Sequence, residues 1–228
     1  MYLSRLAINP RRREARKLLA NPRAMHAAVE SSFPPREHDA DPDRVLWRVD
    51  ETTDRVTLYV VSPTEPDMTH LVEAAGWETA PGESLQYSRF LKKVEDGQRF
   101  QFRVTVNPVK RLFVPGNRGK LVPHVTEDQQ LAWFYSREER WGFHVPLRPS
   151  ESDEGAGDER LARVVKRLDR SFSKPESNSR RTVTQRHVTI VGELGVTDAT
   201  AFRNALVGGL GRGKAYGCGL MTLMKVGA

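Results

Sequence analysis

A single cysteine, Cys218, stands among 228 residues, so an internal disulfide and a metal site made of cysteine alone are both excluded. Sparse cysteine fits an intracellular setting. No apolar run approaches the roughly 18 residues that a membrane-spanning helix needs. The start Met1-Tyr2-Leu3-Ser4-Arg5-Leu6 carries no apolar export stretch, and the expected compartment is the cytoplasm. His26, His38, His70, His124, His144 and His187 never fall at metal-ligand spacing with one another or with the cysteine. Gly-x-Ser-x-Gly is missing, and no acidic cluster of the two-metal nuclease kind is evident. Phosphodiester chemistry, if present, is therefore expected to need no metal or other cofactor, with an RNA 2′-hydroxyl as nucleophile. Acid is the scarcer charge. The 29 Asp and Glu against 36 Lys and Arg leave a net +7 and a pI near 9.7, which points to a polyanionic partner.

What is present is most concentrated at residues 208–219, Gly-Gly-Leu-Gly-Arg-Gly-Lys-Ala-Tyr-Gly-Cys-Gly. Glycine permits positive φ and close backbone approach, and Arg212 and Lys214 bring cations to bare amides, so phosphate is the expected partner. Nucleotide-binding loops run from strand to helix, with the phosphate on the helix N-terminus. Here the loop is expected to follow a helix and feed a strand, and Gly-x-x-x-x-Gly-Lys-[Ser/Thr] is absent. A loop lying along a polynucleotide backbone fits better than an NTPase.

The element order reads β-α-β-β-α-β twice. In the first half, Tyr2 to Ile8 is a strand and residues 11–31 are helical in two pieces, the second opened by an Asn21 cap and Pro22. A hairpin over Val45 to Val61, a helix from Pro66-Asp67 to Ala75 and a strand from Leu85 to Leu91 complete it. In the second half, Phe100 to Asn107 alternates cleanly, Thr126 to Arg140 is helical, and Phe143 to Leu147 is a short strand. Thr182 to Leu194, Asp198 to Val207 and Leu220 to Val226 then give strand, helix and strand. The expected fold is α+β: two tandem ferredoxin-like domains, 1–92 and 99–228. The second carries a flexible acidic loop at 150–159, a basic hairpin insertion at 160–186 and the Gly-rich loop at 208–219.

Charge gathers in two further segments. Residues 1–23 include Arg12, Arg13 and Arg23 against a lone Glu14. Residues 160–186 include Lys166, Arg170, Lys174, Arg180 and Arg181, and Pro175 to Ser179 reads as the tip of a projecting hairpin. A slim cationic projection suits the end of an RNA stem, where the deep major groove opens. Among the histidines, His26 follows the buried stripe of Met25 and Val29 by about 100°, on a polar helix face one turn from Arg23.

Four stretches together resemble the CasE-type CRISPR RNA endoribonucleases. They are Met-Tyr-Leu-Ser at the start, His26-x6-Phe33-Pro34, Arg103-x3-Asn107-Pro108-x-Lys110, and Gly-Leu-Gly-Arg-Gly-Lys-Ala-Tyr-Gly-Cys-Gly-Leu near the end. The resemblance implies tandem ferredoxin-like domains and metal-independent cleavage of the repeat hairpin of precursor CRISPR RNA, giving 2′,3′-cyclic phosphate and 5′-hydroxyl ends. It implies that the protein stays on the processed guide as a subunit of a type I-E interference complex. It puts the catalytic histidine at His26 and stem contacts near Arg180 and Arg181, and Lys110 lies within a matched motif. Arg23 occupies a position where the family often has tyrosine; it is a cation for the phosphorane rather than a proton donor. The alternative reading, from a different class, is a non-catalytic RNA-binding subunit that positions or protects a guide.

Overall fold

The computed structural model of the chain describes residues 1–35, 44–113, 115–116, 119–148, 159–176 and 179–226, with backbone alone at 174–176 and 179–181. Alternation along β1 (Tyr2–Ile8) turns Leu6 and Ile8 to a helix-covered face. Two helices follow, α1 (Arg13–Ala20) and α2 (Pro22–Glu30). Asn21 sets the start of α2: its side-chain oxygen accepts from the Arg23 and Ala24 amides, and Pro22 fills the first helical position. Strands β2 (Leu46–Glu51) and β3 (Val56–Ser62), helix α3 (Thr69–Ala75) and strand β4 (Glu83–Leu85) complete the unit. The sheet order is β2-β3-β1-β4, all antiparallel, over a core that includes Met25, Val29, Leu58 and Leu71.

Helix α4 (Tyr87–Leu91) leads to a second unit. Its elements are β5 (Arg99–Val106), the small hairpin β6 (Val109–Arg111) and β7 (Leu121–Pro123), α5 (Glu127–Tyr135), α6 (Glu138–Trp141) and β8 (Phe143–His144). The long β9 (Ala162–Glu176) and β10 (Ser179–Val196), α7 (Ala199–Gly208) and β11 (Met221–Lys225) follow. Its sheet runs β11-β5-β10-β8, so each sheet reads fourth, first, third, second strand of its own β-α-β-β-α-β order. Strand β9 lies along β10 on the same side as β8, so two strands together fill the second-strand place. The second core stacks Phe102, Phe134, Trp141, Phe143 and Phe202.

Three expectations change: the last strand of the first half, the start of its second helix, and the single helix over Thr126 to Arg140, which breaks at Ser136 and Arg137 into α5 and α6. Residues 87–91 are helical, not strand: Tyr87, Leu91 and Val94 are buried at helical spacing in the second core, and Tyr87 stacks on Phe90 at 5.6 Å. The expected basic hairpin is formed by β9 and β10, and a bulge in β9 leaves Val165 out of register between Lys166 and Val164. Helix α3 begins at Thr69 rather than Pro66, and the Asp67 carboxylate just ahead of it accepts from the Thr69 amide at 2.9 Å. Residues 150–158 of the expected acidic loop lie outside the described residues; Glu159 pairs with Arg148 at 3.4 Å.

The two sheets are joined by a buried arginine. Arg48, on β2, is 1% exposed and crosses to the other sheet, donating to the carbonyls of Arg103 (2.7 Å) and Leu220 (2.8 Å) and to Thr222 Oγ1 (2.7 Å). Its remaining donors form a two-point pair with Asp50 at 2.8 and 2.7 Å. Every guanidinium N–H thus has an acceptor, which is what lets a charge sit in a core.

Candidate nucleic-acid interface

A cleft of about 1710 Å³ opens between α2, the β6–β7 hairpin, the base of the β9–β10 hairpin and the Gly-rich loop. The cap at Asn21 fixes the phase of α2, so Met25 and Val29 are buried and His26 turns to the cleft, half-buried. His26 Nδ1 is shielded from solvent without a hydrogen bond, and the nearest carboxylate is Glu30, one turn on, at 3.9 Å. Arg44, Arg111, Lys120, Arg186, Arg212 and Lys214 also line this space. The cations therefore come from five separate segments of the chain, although Asp169 lines the same cleft and pairs with Arg186 at 2.7 Å.

The Gly-rich loop follows α7, turns through a single 3-10 turn at Lys214–Tyr216 and enters β11. Its shape is held from inside the protein. The Leu210 amide donates to the Gly219 carbonyl at 2.9 Å, and the Gly219 amide to the Thr105 carbonyl at 2.7 Å. Gly217 has φ +86° and a Cβ there would fall 2.7 Å from the Trp47 ring; Gly211 has φ +75° and would meet Trp133 at 2.9 Å. These two glycines answer to tryptophan packing as much as to any ligand. Arg212 is exposed on the cleft and bridges to Asn107 through the backbone. Lys214 bonds the Gly208 carbonyl at the end of α7 at 2.5 Å, and burial, then Arg44 and Arg140, hold its pKa below the usual lysine value.

The other expected cations separate into groups. Arg12 is turned inward: it bonds the Glu73 carbonyl at the end of α3 and pairs with Glu78 at 3.0 Å, a role within the fold. Arg13 is exposed on α1, and Lys110 is exposed on β6 beside the cleft. Arg23 reaches from α2 to the Ser173 carbonyl on β9 at 3.4 Å rather than lining the cleft. Lys166 pairs with Glu51, and Arg170 donates to the Leu19 carbonyl at 3.2 Å, so both tie β9 to the first unit. The backbone pairs Lys174 with Arg181 and Pro175 with Arg180 near the hairpin tip; their side chains lie outside the described residues.

Behind the cleft, His187 sits against Arg170 in a small cavity of about 60 Å³ lined from both units, including Leu18, Met25, Trp47 and Tyr216. Burial first, then the Arg170 charge, lowers its pKa to about 4, so it is neutral at pH 7. A second cleft, of about 900 Å³, lies on the open faces of the two sheets, floored by Leu3, Tyr59, Leu85 and Leu223. It holds no histidine. Among the described residues no group of three His, Cys, Asp or Glu side chains is arranged to hold a metal ion, and no helix is long and apolar enough to cross a membrane.

A family model described as "CRISPR associated protein" matches residues 1–225. The chain belongs to this family. The CRISPR-associated endoribonuclease Cse3 of Thermus thermophilus is 30% identical over 225 residues, spanning 98% of this chain and 99% of that protein. A solved structure of CRISPR endoribonuclease Cse3 bound to a 19 nt RNA superposes with TM-score 0.77 at 27% identity, covering 98% of this chain and all of that one. Cas6e of Escherichia coli K-12 shares the fold, with TM-score 0.65 at 21% identity over 99% of this chain and 100% of its own.

Within this CRISPR-associated fold, Arg44, Arg111, Lys120 and Arg186 are the cleft cations that the site expectation missed. Arg44 follows an acidic stretch, Asp39-Ala-Asp-Pro-Asp, that offsets its charge in the sequence. Arg111 and Lys120 sit where no element had been read. Their Lys-Arg and Arg-Gly-Lys flanks around Pro115-Gly116 carried a hairpin signal.

Proposed function

We propose that this protein is an endoribonuclease that binds and cuts the repeat stem-loop of precursor CRISPR RNA without a metal, and remains on the product as a subunit of an interference complex. The observation that carries the reading is the meeting of a half-buried histidine with cations from several segments in one cleft. Support also comes from the family, whose member Cse3 has been solved bound to an RNA representing a pre-cleavage complex, at 29% identity. The division into domains 1–92 and 99–228 belongs to the same reading.

The RNA 2′-oxygen attacks the adjacent phosphorus, and the bond from phosphorus to the 5′-oxygen breaks. The 2′-proton must be accepted and the leaving 5′-oxygen must gain one. A carboxylate near His26 Nδ1 favours hydrogen on that nitrogen and leaves Nε2 with its lone pair, suited to take the 2′-proton. Arg212, exposed on the cleft wall, grips the RNA backbone beside the cut. Products are a 2′,3′-cyclic phosphate and a 5′-hydroxyl. Arg23, Lys174, Arg180 and Arg181 serve the stem, and Arg13 and Lys110 the flanking backbone.

The test is single-turnover cleavage of a synthetic repeat hairpin in EDTA. Wild type is expected to cut, and a 2′-deoxy substitution at the cut nucleotide to block it. His26→Ala is expected to slow cleavage about 10²- to 10⁴-fold with hairpin affinity preserved. Uncut RNA with wild type in EDTA would overturn the metal-free mechanism. A His26→Ala rate equal to wild type would move the chemistry elsewhere. Tight binding without any cleavage would favour the guide-holding subunit instead.

A further inference from the structure

The β6–β7 hairpin walls the cleft yet has no part in the chemistry above. Residues 109–123 hold Lys110, Arg111, Arg118 and Lys120 and no acid. The hairpin is firmly built up to residue 112. The Leu112 amide donates to the Lys120 carbonyl at 2.9 Å, and Arg111 reaches the Gly119 carbonyl at 3.2 Å. Gly119 is required for this closure, since a Cβ there would lie 1.9 Å from the Leu112 carbonyl oxygen. The next residue is Phe113, and it is 88% exposed, well beyond any other large apolar side chain among the described residues.

An aromatic ring held in water at the end of an anchored cationic hairpin calls for a partner with both negative charge and flat apolar faces. Single-stranded RNA has both: phosphates for the cations, and unpaired bases that stack on aromatic rings. An apolar protein surface would accept the ring but would leave the exposed cations Lys110, Arg111 and Lys120 without a counter-charge. Paired bases in a stem are stacked on one another and closed to a protein ring, so the site lies where a strand has left the stem.

We propose that Phe113 is a stacking platform for an unpaired nucleotide flanking the hairpin next to the cut, with Arg111 and Lys120 on the adjoining phosphates. This rests on the reading that the cleft holds an RNA hairpin. The platform would give the enzyme preference for a hairpin with its flank over a bare hairpin, a discrimination that stem contacts alone do not provide.

The test compares wild type, Phe113→Ala and Phe113→Trp, as full chains, on hairpins made uncleavable by a 2′-deoxy nucleotide at the cut. The hairpins are bare, extended on the 5′ side, or extended on the 3′ side, with 2-aminopurine in the extension. Phe113→Ala is expected to weaken binding of one extended hairpin about 5- to 150-fold, leave the bare hairpin unchanged, and abolish the 2-aminopurine quenching seen with wild type. Phe113→Trp is expected to restore both. Equal losses on bare and extended RNA, or no loss on either extended form, would overturn the platform; in the second case the ring is left to a protein partner. The two readings fail separately. If wild type binds no hairpin at all, the RNA reading and the platform fall together. If wild type binds and cuts while Phe113→Ala matches it throughout, only the platform falls.

Discussion

The two halves of the molecule have the same strand order but put different things at equivalent places. In the first half the connection after the second helix, residues 76–82, is neutral to acidic, with Glu78 as its one charge. In the second half the equivalent connection is the cationic Gly-rich loop between α7 and β11. The reverse holds for the first helical segment. The first half presents His26 from α2, whereas the matching helix α5 buries Trp133 and Phe134 in the second core. On the proposed reading the repeated scaffold divides its labour: one half would supply the proton-transfer group and the other most of the grip. The contacts that hold the halves together are then part of the site, since they set where the histidine meets the loop.

The largest expected effect breaks that joint. Arg48→Ala removes the guanidinium that bridges the sheets and leaves Asp50 with Arg103 at 3.2 Å as its remaining ion-pair partner. A loss of about 3–5 kcal/mol in urea unfolding is expected, with RNA affinity falling alongside it. A loss under about 1 kcal/mol would mean that the halves hold together without this bridge.

Next is the loop's own packing. Gly217→Ala, at φ +86° and against Trp47, is expected to cost about 2–4 kcal/mol, whereas Gly208→Ala meets open space and should be neutral or slightly stabilising. Thermal melts of the two variants decide whether the glycines serve the fold or only the ligand. Equal Tm values for both variants, with RNA binding lost only in Gly217→Ala, would assign them to the ligand alone.

The seam itself carries a titration. His187 is lowered to about 4 in the folded state against the 6.5 of an ordinary imidazole, so the unfolded chain binds more protons between those pH values. Stability is fully present above pH 6.5 and declines as pH falls toward 4, by up to about 3 kcal/mol. His187→Gln should flatten that slope over the same window. An unchanged slope would show that the seam does not feel the histidine.

The smallest effect sharpens the division of grip. Arg212→Gln is expected to lower the log–log salt dependence of hairpin binding by about 0.7–0.9, the signature of one phosphate contact. Arg12→Gln should leave the slope unchanged, because that guanidinium is engaged with Glu73 and Glu78.

Much of this organisation was legible in the residues. Asn21-Pro22 announces α2, the alternation from Phe100 to Val106 announces β5, and the order of elements announces two matched sheets. The basic hairpin was legible, but the inward contacts of β9 were not, because Lys166 and Arg170 turn to Glu51 and Leu19 and the bulge at Val165 breaks the period. Nor was the full cleft. Arg44, Arg111 and Lys120 reach it only through tertiary packing, and a cation's distance from His26 has no counterpart in local sequence. The same limit applies to Arg12, whose charge reads as a surface contact until its partners on α3 are seen.

The most direct test of the divided site is to measure hairpin Kd and single-turnover cleavage rate side by side for His26→Ala and for Arg212→Gln combined with Lys120→Gln. The division predicts that His26→Ala loses rate by about 10²-fold or more and keeps its Kd. It predicts that the double variant loses affinity yet cuts at a rate much closer to wild type once RNA is saturating. If His26→Ala loses affinity in step with rate, or if the double variant binds normally and cannot cut, then chemistry and grip are not divided between the two halves.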